Sequence, residues 1–225
     1  MGNRNLSALA AALVALGACE YQAERPVDDT PGIPSAAEEA GPGSLVEERP
    51  ALRTDTIRIE GMAEPIELRL VASPATFPLP FSTYVPPDLA FEGARRGDQP
   101  ELRFIAEFGG LRNESAFLEV AAYPANVTED GAFERARRAA GIDATPVDSM
   151  EAAFDWAIRG WRATSRDGAG ETLTRVMLGR QEDRHFHVRI RYPSEYADGF
   201  GPRAAMVLRE WRWADGTPLD QGDGT

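Results

Sequence analysis

Between Thr54 and Tyr192 apolar residues recur at every second position, in short runs broken by Gly, Pro and Asp-Gly. A strand points successive side chains to opposite sides of a sheet, so this rhythm restricts the chain to half-buried β-strands. Ile57-Arg58-Ile59 and Ile66 to Leu70 flank Gly61, which predicts a hairpin. Phe81 to Val85 reads as a short strand stopped by Pro86-Pro87. Leu102, Phe104, Ala106 and Phe108 alternate with charged residues up to Gly109-Gly110, and Phe117 to Tyr123 forms the next strand, closed by Pro124.

The period then changes. Thr128 is placed to cap a helix carrying Phe133, Ala136 and Ala140 at helical spacing, with Gly141 as its stop. Three strands follow, Phe154 to Thr164, Glu171 to Leu178 and His185 to Tyr192, the first two joined through Arg166-Asp167-Gly168. Phe200, Ala204, Val207, Leu208 and Trp211 make one face of a terminal helix, with Asp198 near its cap and Pro202 in its first turn. From Asp215 the chain reads as a loose polar tail. This order predicts an α+β fold: a mainly antiparallel sheet of six or seven strands with helices packed on its faces.

The first nineteen residues follow a different rule. Leu6 to Leu16 is apolar and uncharged but only eleven residues long, against the ~20 that a helix needs to cross a bilayer. It suits the apolar region of a secretory signal. Leu16, Gly17, Ala18 and Cys19 resemble the lipobox of bacterial lipoproteins. The resemblance implies cleavage between Ala18 and Cys19, a diacylglycerol thioether on Cys19 and acylation of the new amine. Several acyl chains anchor stably where one binds only reversibly. Cys19 is the single cysteine, so no intrachain disulfide competes for it. Glu20, rather than Asp, follows it; in a cell with two membranes that favours the outer one.

Residues 20–52 are rich in Pro, Gly, Ala and acids; eight carboxylates against two arginines give a net charge of −6. Like charges extend such a segment and Pro stiffens it, so it reads as a spacer, or else as a docking peptide. The expected organisation is a signal peptide at 1–18, a lipidated tether at 19–52, a globular domain at 53–214 and a tail at 215–225.

Charge excludes some functions. A formal −12 argues against a nucleic-acid partner and against adsorption to anionic lipid. All 24 basic residues are Arg, which rules out Schiff bases and phosphate-loop lysines. No dinucleotide fingerprint, Cys-x-x-Cys, His-Glu-x-x-His or Gly-x-Ser-x-Gly is present, and no catalytic residue or cofactor is expected.

One constellation carries chemistry. His185, His187, Arg189 and Arg191 alternate along the last strand and share a face. Two imidazoles at i and i+2 can grip one zinc ion, but a third ligand has only Glu182 and Asp183 nearby in sequence, and the two arginines repel a cation. Alternatively, the four form a cationic stripe for an anionic ligand or an acidic partner surface. Trp156, Trp161, Trp211 and Trp213 read as packing residues, with Trp161 and Trp213 off the apolar stripes and so the better candidates for exposed contacts.

The runs FSTYVPPDL, ELRFIAEFGG and AFLEVAAYP before a helix, with RHFHVRIRYPSEYADGFGPRAAMVLREWRW later, resemble the PsbP-like sandwich, most of all its DcrB-like lipoprotein branch. The similarity covers residues 65–213. It implies a small non-enzymatic accessory or binding domain and carries over no functional residue. The expectation is therefore a lipid-anchored cell-envelope accessory protein with a protein partner in the envelope. Its alternative is a metal-dependent envelope hydrolase using His185 and His187.

Overall fold

In the computed structural model, residues 49–147, 155–167 and 170–219 are described. The strands among them divide into two antiparallel sheets. The smaller contains β1 (Leu52–Ile59), β2 (Met62–Ala72) and β3 (Phe81–Val85). The larger takes β4 (Leu89–Arg96), β5 (Gln99–Phe108), β6 (Leu111–Ala122), β7 (Thr145–Val147), β8 (Arg159–Asp167), β9 (Gly170–Gln181) and β10 (Arg184–Pro193). A two-residue strand, β11 (Arg212–Trp213), returns to the small sheet. The spatial orders are β1-β2-β3-β11 and β4-β5-β6-β10-β9-β8-β7.

The expected α+β fold, one sheet with helices packed on its faces, is therefore corrected. The described chain is β-rich, and strand residues far outnumber those in its two α-helices, α1 (Glu129–Ala140) and α2 (Ala197–Arg209). The difference has a physical origin. The early strands do not join the central sheet; they pair with one another and with β11, and form a second layer over it. The edge strand β4 also escapes a reading by periodicity, because its second half, Glu92 to Arg96, shows no buried alternation.

One face of the large sheet packs on this second layer. Leu102, Phe104, Leu118, Val120, Val188 and Ile190 meet Phe81, Val85, Trp211 and the α2 residues Phe200, Ala204 and Val207 in one apolar cluster. Trp211 lies beyond the end of α2, yet it stacks on Phe81 with centroids 3.6 Å apart. The opposite face receives α1, whose Ala132, Ala136 and Ala140 lie against Tyr123, Trp161, Val176 and Leu178. Thr128 caps α1 by accepting from the Gly131 amide at 3.2 Å, and Gly141 ends it at φ 110°. Nothing equivalent holds at Asp198: a 3-10 turn at Ser194–Tyr196 leads into α2, and Tyr196 occupies the cap position.

Local chemistry explains the hairpins. Ile59 pairs with Met62 across Glu60 and Gly61, both at positive φ (51° and 81°), which is the type I′ signature. Strands β8 and β9 form the hairpin expected around Asp167, although β8 begins at Arg159 rather than at Phe154; Phe154 and Gly168 lie outside the described residues. Arg49 packs on the domain, donating to Ser82 Oγ at 3.0 Å and to the Glu210 carbonyl at 2.8 Å. Within the segment expected as a loose tail, residues 215–219 pack on the domain: Trp213 N–H donates to the Thr217 carbonyl and Leu219 is buried in the main apolar cluster; residues 220–225 lie outside the described residues.

Candidate functional site

Strand alternation sets His185, His187, Arg189 and Arg191 on one face of β10, the face toward α1. That face is closed rather than solvated: His185 is 7% and His187 3% exposed. Register brings β6 alongside, with Arg189 opposite Glu119 and His187 opposite Ala121. Glu119 Oε2 accepts from Arg189 Nη2 at 2.6 Å, and Oε1 lies 3.5 Å from His187 Nε2. On the other side of the imidazole, Tyr123 Oη and His187 Nδ1 are 2.9 Å apart. The arrangement assigns Tyr123 O–H as donor to Nδ1, which leaves the imidazole proton on Nε2, facing the carboxylate.

Two further groups complete the network. Glu101, on β5, is buried beside Glu119. Arg96, at the exposed end of β4, reaches both acids, with Nε 3.4 Å from Glu101 Oε1 and Nη2 3.9 Å from Glu119 Oε2. Two carboxylates thus face two guanidiniums around a neutral histidine. Arg103 and Arg189 also lie over the Phe117 ring, 4.3 and 5.0 Å from its centroid.

Titration follows from this geometry. Burial alone pushes the Glu119 carboxyl up, but the His187 contact and the Arg189 guanidinium outweigh it and hold it at about 2. The Arg189 bond is the short one, and at 3.5 Å the imidazole contributes less, so Arg189 is the principal partner. Burial pushes His187 down, against the pull of Glu119, and keeps it neutral. Burial and the neighbouring Glu119 charge push Glu101 up. Burial also raises Tyr123 far above neutral pH, so its phenol acts here as a hydrogen-bond donor and not as a nucleophile.

The four residues expected to act as one stripe therefore part company. His187 and Arg189 are absorbed into the Glu119 network. His185 and Arg191 stand outside it; His185 Nε2 and Arg191 Nε, like His187 Nε2, Arg189 Nε and Glu119 Oε1 within the network, are buried with no hydrogen-bond partner among the described residues. A freely solvated cationic face is not what the fold builds here. Both nitrogens of His187 face protein groups, and Glu182 and Asp183 sit exposed in the turn between β9 and β10. Among the described residues no group of three or more His, Cys, Asp or Glu is placed to hold a metal ion. Trp161 and Trp213, expected as exposed contacts, are 2% and 5% exposed. Trp161 packs edge-on against Phe133 under α1, and Trp213 against Phe186 and Trp211. Ala18 and Cys19 lie outside the described residues.

Beside the network, a cleft of about 590 Å³ opens at the end of the large sheet, where Arg95, Asp98, Arg184 and the backbone around Tyr123 face Pro74 to Pro78. Arg184 closes one wall by donating to the Tyr123 carbonyl at 2.9 Å.

No family model and no curated protein matches the chain. Among solved structures, it is similar to a protein of Bacteroides thetaiotaomicron VPI-5482 whose crystal structure was determined at 1.50 Å resolution. The identity is 13% and the TM-score 0.42, over 69% of this chain and 49% of that one. The chain matches about half the length of that protein.

Glu119 and Tyr123 escaped the reading of the sequence, though one signal was present. The run Phe117-Leu118-Glu119-Val120-Ala121-Ala122-Tyr123 is apolar on both faces apart from one acid. A single carboxylate in a strand buried on both sides requires a cationic partner, and an arginine on a neighbouring strand supplies it. Arg96 and Glu101 carry no comparable mark: Arg96 ends a polar run without alternation, and Glu101 sits among charged residues that alternate with apolar ones.

Proposed function

We propose that this chain is a lipid-anchored accessory protein of the cell envelope, which binds a partner or ligand rather than turning over a substrate. The observation that carries the reading is the sole cysteine, Cys19, placed after an uncharged apolar run and the small pair Gly17-Ala18. No helix among the described residues is long and apolar enough to cross a membrane. Acyl chains on Cys19 supply the attachment in this reading, and the acidic residues 20–48 separate it from the folded domain. Grooves on that domain favour binding as its role, whereas its buried acid–base groups are held by one another and are closed to a substrate.

Mass spectrometry of the mature N-terminus, with the chain made in a bacterial host, tests the anchor. The expected product begins at Cys19 and carries a diacylglyceryl group with an N-acyl chain. Cys19→Ala is expected to leave the membrane fraction after a salt wash, and density-gradient fractionation is expected to place the unaltered protein in the outer membrane. An unmodified thiol at residue 19, or a start site elsewhere, overturns the reading.

A further inference from the structure

Among the described residues nothing covers the core-facing side of the large sheet as far as its edge. Across β6, β10, β9 and β8 one row reads Leu118, Ile190, Arg175 and Arg162 in direct register. Leu118 and Ile190 are buried, while Arg175 and Arg162 are exposed. The next row reads Tyr192, Leu173 and Thr164. Helix α2 passes alongside and contributes Gly201 and Ala205, two small residues one turn apart, so a groove of about 620 Å³ remains between helix and strands. Its volume is that of small-ligand sites, and Leu173, Ile190, Gly201 and Ala205 give it an apolar strip beside Thr164, Tyr192 and the two arginines.

The arginines at its rim are the unusual part. Arg162 and Arg175 stand directly opposite each other on neighbouring strands. Neither side chain makes an ion pair or hydrogen bond with another described residue, in a chain that holds 36 acids against 24 arginines. Like charges directly opposite across a sheet repel, and an anion held between two guanidiniums removes that repulsion. Among the described residues Tyr192 is the only aromatic ring lining the groove, and it is tilted against Phe200 rather than presented as a flat platform. That favours a flexible aliphatic occupant over a stacked aromatic one.

We infer that this groove binds a long-chain fatty acid, its carboxylate between Arg162 and Arg175 and its chain along Ile190, Leu173 and Tyr192 beside Gly201 and Ala205. The inference deepens the reading of the domain as a binding module and is independent of the anchor on Cys19, which mass spectrometry and fractionation test separately.

The test is calorimetric titration of the full chain carrying Cys19→Ala, without detergent, with palmitate, hexadecanol and acetate. Saturable binding of one palmitate per chain is expected, with hexadecanol and acetate each at least tenfold weaker. The double reversal Arg162→Glu/Arg175→Glu is expected to weaken palmitate at least tenfold. Ala205→Trp, which fills the groove and keeps both arginines, is expected to do the same, and thermal melting confirms that each variant is folded. Equal affinity for palmitate and hexadecanol overturns the role of the arginines. Undiminished palmitate binding by either variant, or acetate binding as tightly as palmitate, overturns the groove. An absence of saturable binding by the full chain, as when the acidic residues 20–48 cover the arginines, also overturns the inference.

Discussion

Glu119→Gln is the sharpest probe of the buried network, because it keeps the shape of the side chain and removes only its charge. The carboxyl ionises at about 2 in the folded chain and at 4.5 when free of it. Between those limits the unfolded chain binds more protons than the folded one, so the stabilisation is complete above pH 4.5 and is lost as pH falls through 2. At about 1.4 kcal/mol per pH unit, the gap corresponds to about 3 kcal/mol at pH 7. A similar size follows from the structure: the substitution leaves Arg189, 11% exposed, facing a neutral amide in place of the carboxylate 2.6 Å away, and leaving a buried charge without its counter-charge costs about 3–5 kcal/mol. Urea unfolding at pH 7, 4 and 2.5 reads the effect. With a slope of about 1–3 kcal/mol per molar urea, the midpoint at pH 7 is expected to fall by about 1–3 M. The difference between the two chains is expected to shrink to about a quarter of its pH 7 size at pH 2.5. Glu119→Leu combined with Arg189→Met is expected to recover most of the loss, since an apolar pair replaces the ionic one. A loss below about 1 kcal/mol at pH 7, the scale of an exposed pair, refutes the reasoning, as does a loss independent of pH.

Two other substitutions test the fold. A Cβ on Gly179 would lie 2.5 Å from Phe186 Cζ and 2.9 Å from Trp156 Cε3, so Gly179→Ala is expected to lower stability by about 1–3 kcal/mol, seen as a drop of several degrees in Tm; an unchanged Tm shows slack in that stack. Glu60 sits at φ 51°, where Asn is better tolerated, so Glu60→Asn is expected to raise stability by about 0.5–1 kcal/mol in the same assay; a fall contradicts the type I′ turn.

Local rules in the sequence located much of the secondary structure. Thr128 and Gly141 bound α1 as their side-chain chemistry demands, and the Gly61 and Asp167 hairpins form where the turn residues stand. What periodicity could not reveal was the partner of each strand. Ile57 and Leu68 alternate just as Val188 and Ile190 do, yet they belong to a different sheet, because pairing depends on contacts far apart along the chain. The same limit applies to the site. His187 and Arg189 look like a solvated stripe until the register opposes Arg189 to Glu119, seventy residues away, and α1 comes down on that face. Trp161 and Trp213 misled for a related reason: each lies off the stripe of its own strand or helix but points into a layer built by another element.

The closing strand of the small sheet has a consequence for synthesis. Trp211, Trp213 and Leu219 fill the same apolar cluster as Phe81, and Arg212 and Trp213 pair with Ser82 and Phe81. A ribosome must therefore release residues some 130 positions downstream before β3 gains its second neighbour. Until then Phe81 and its surroundings stay open to water and to chaperones. Closure of this domain is therefore timed to the late part of translation.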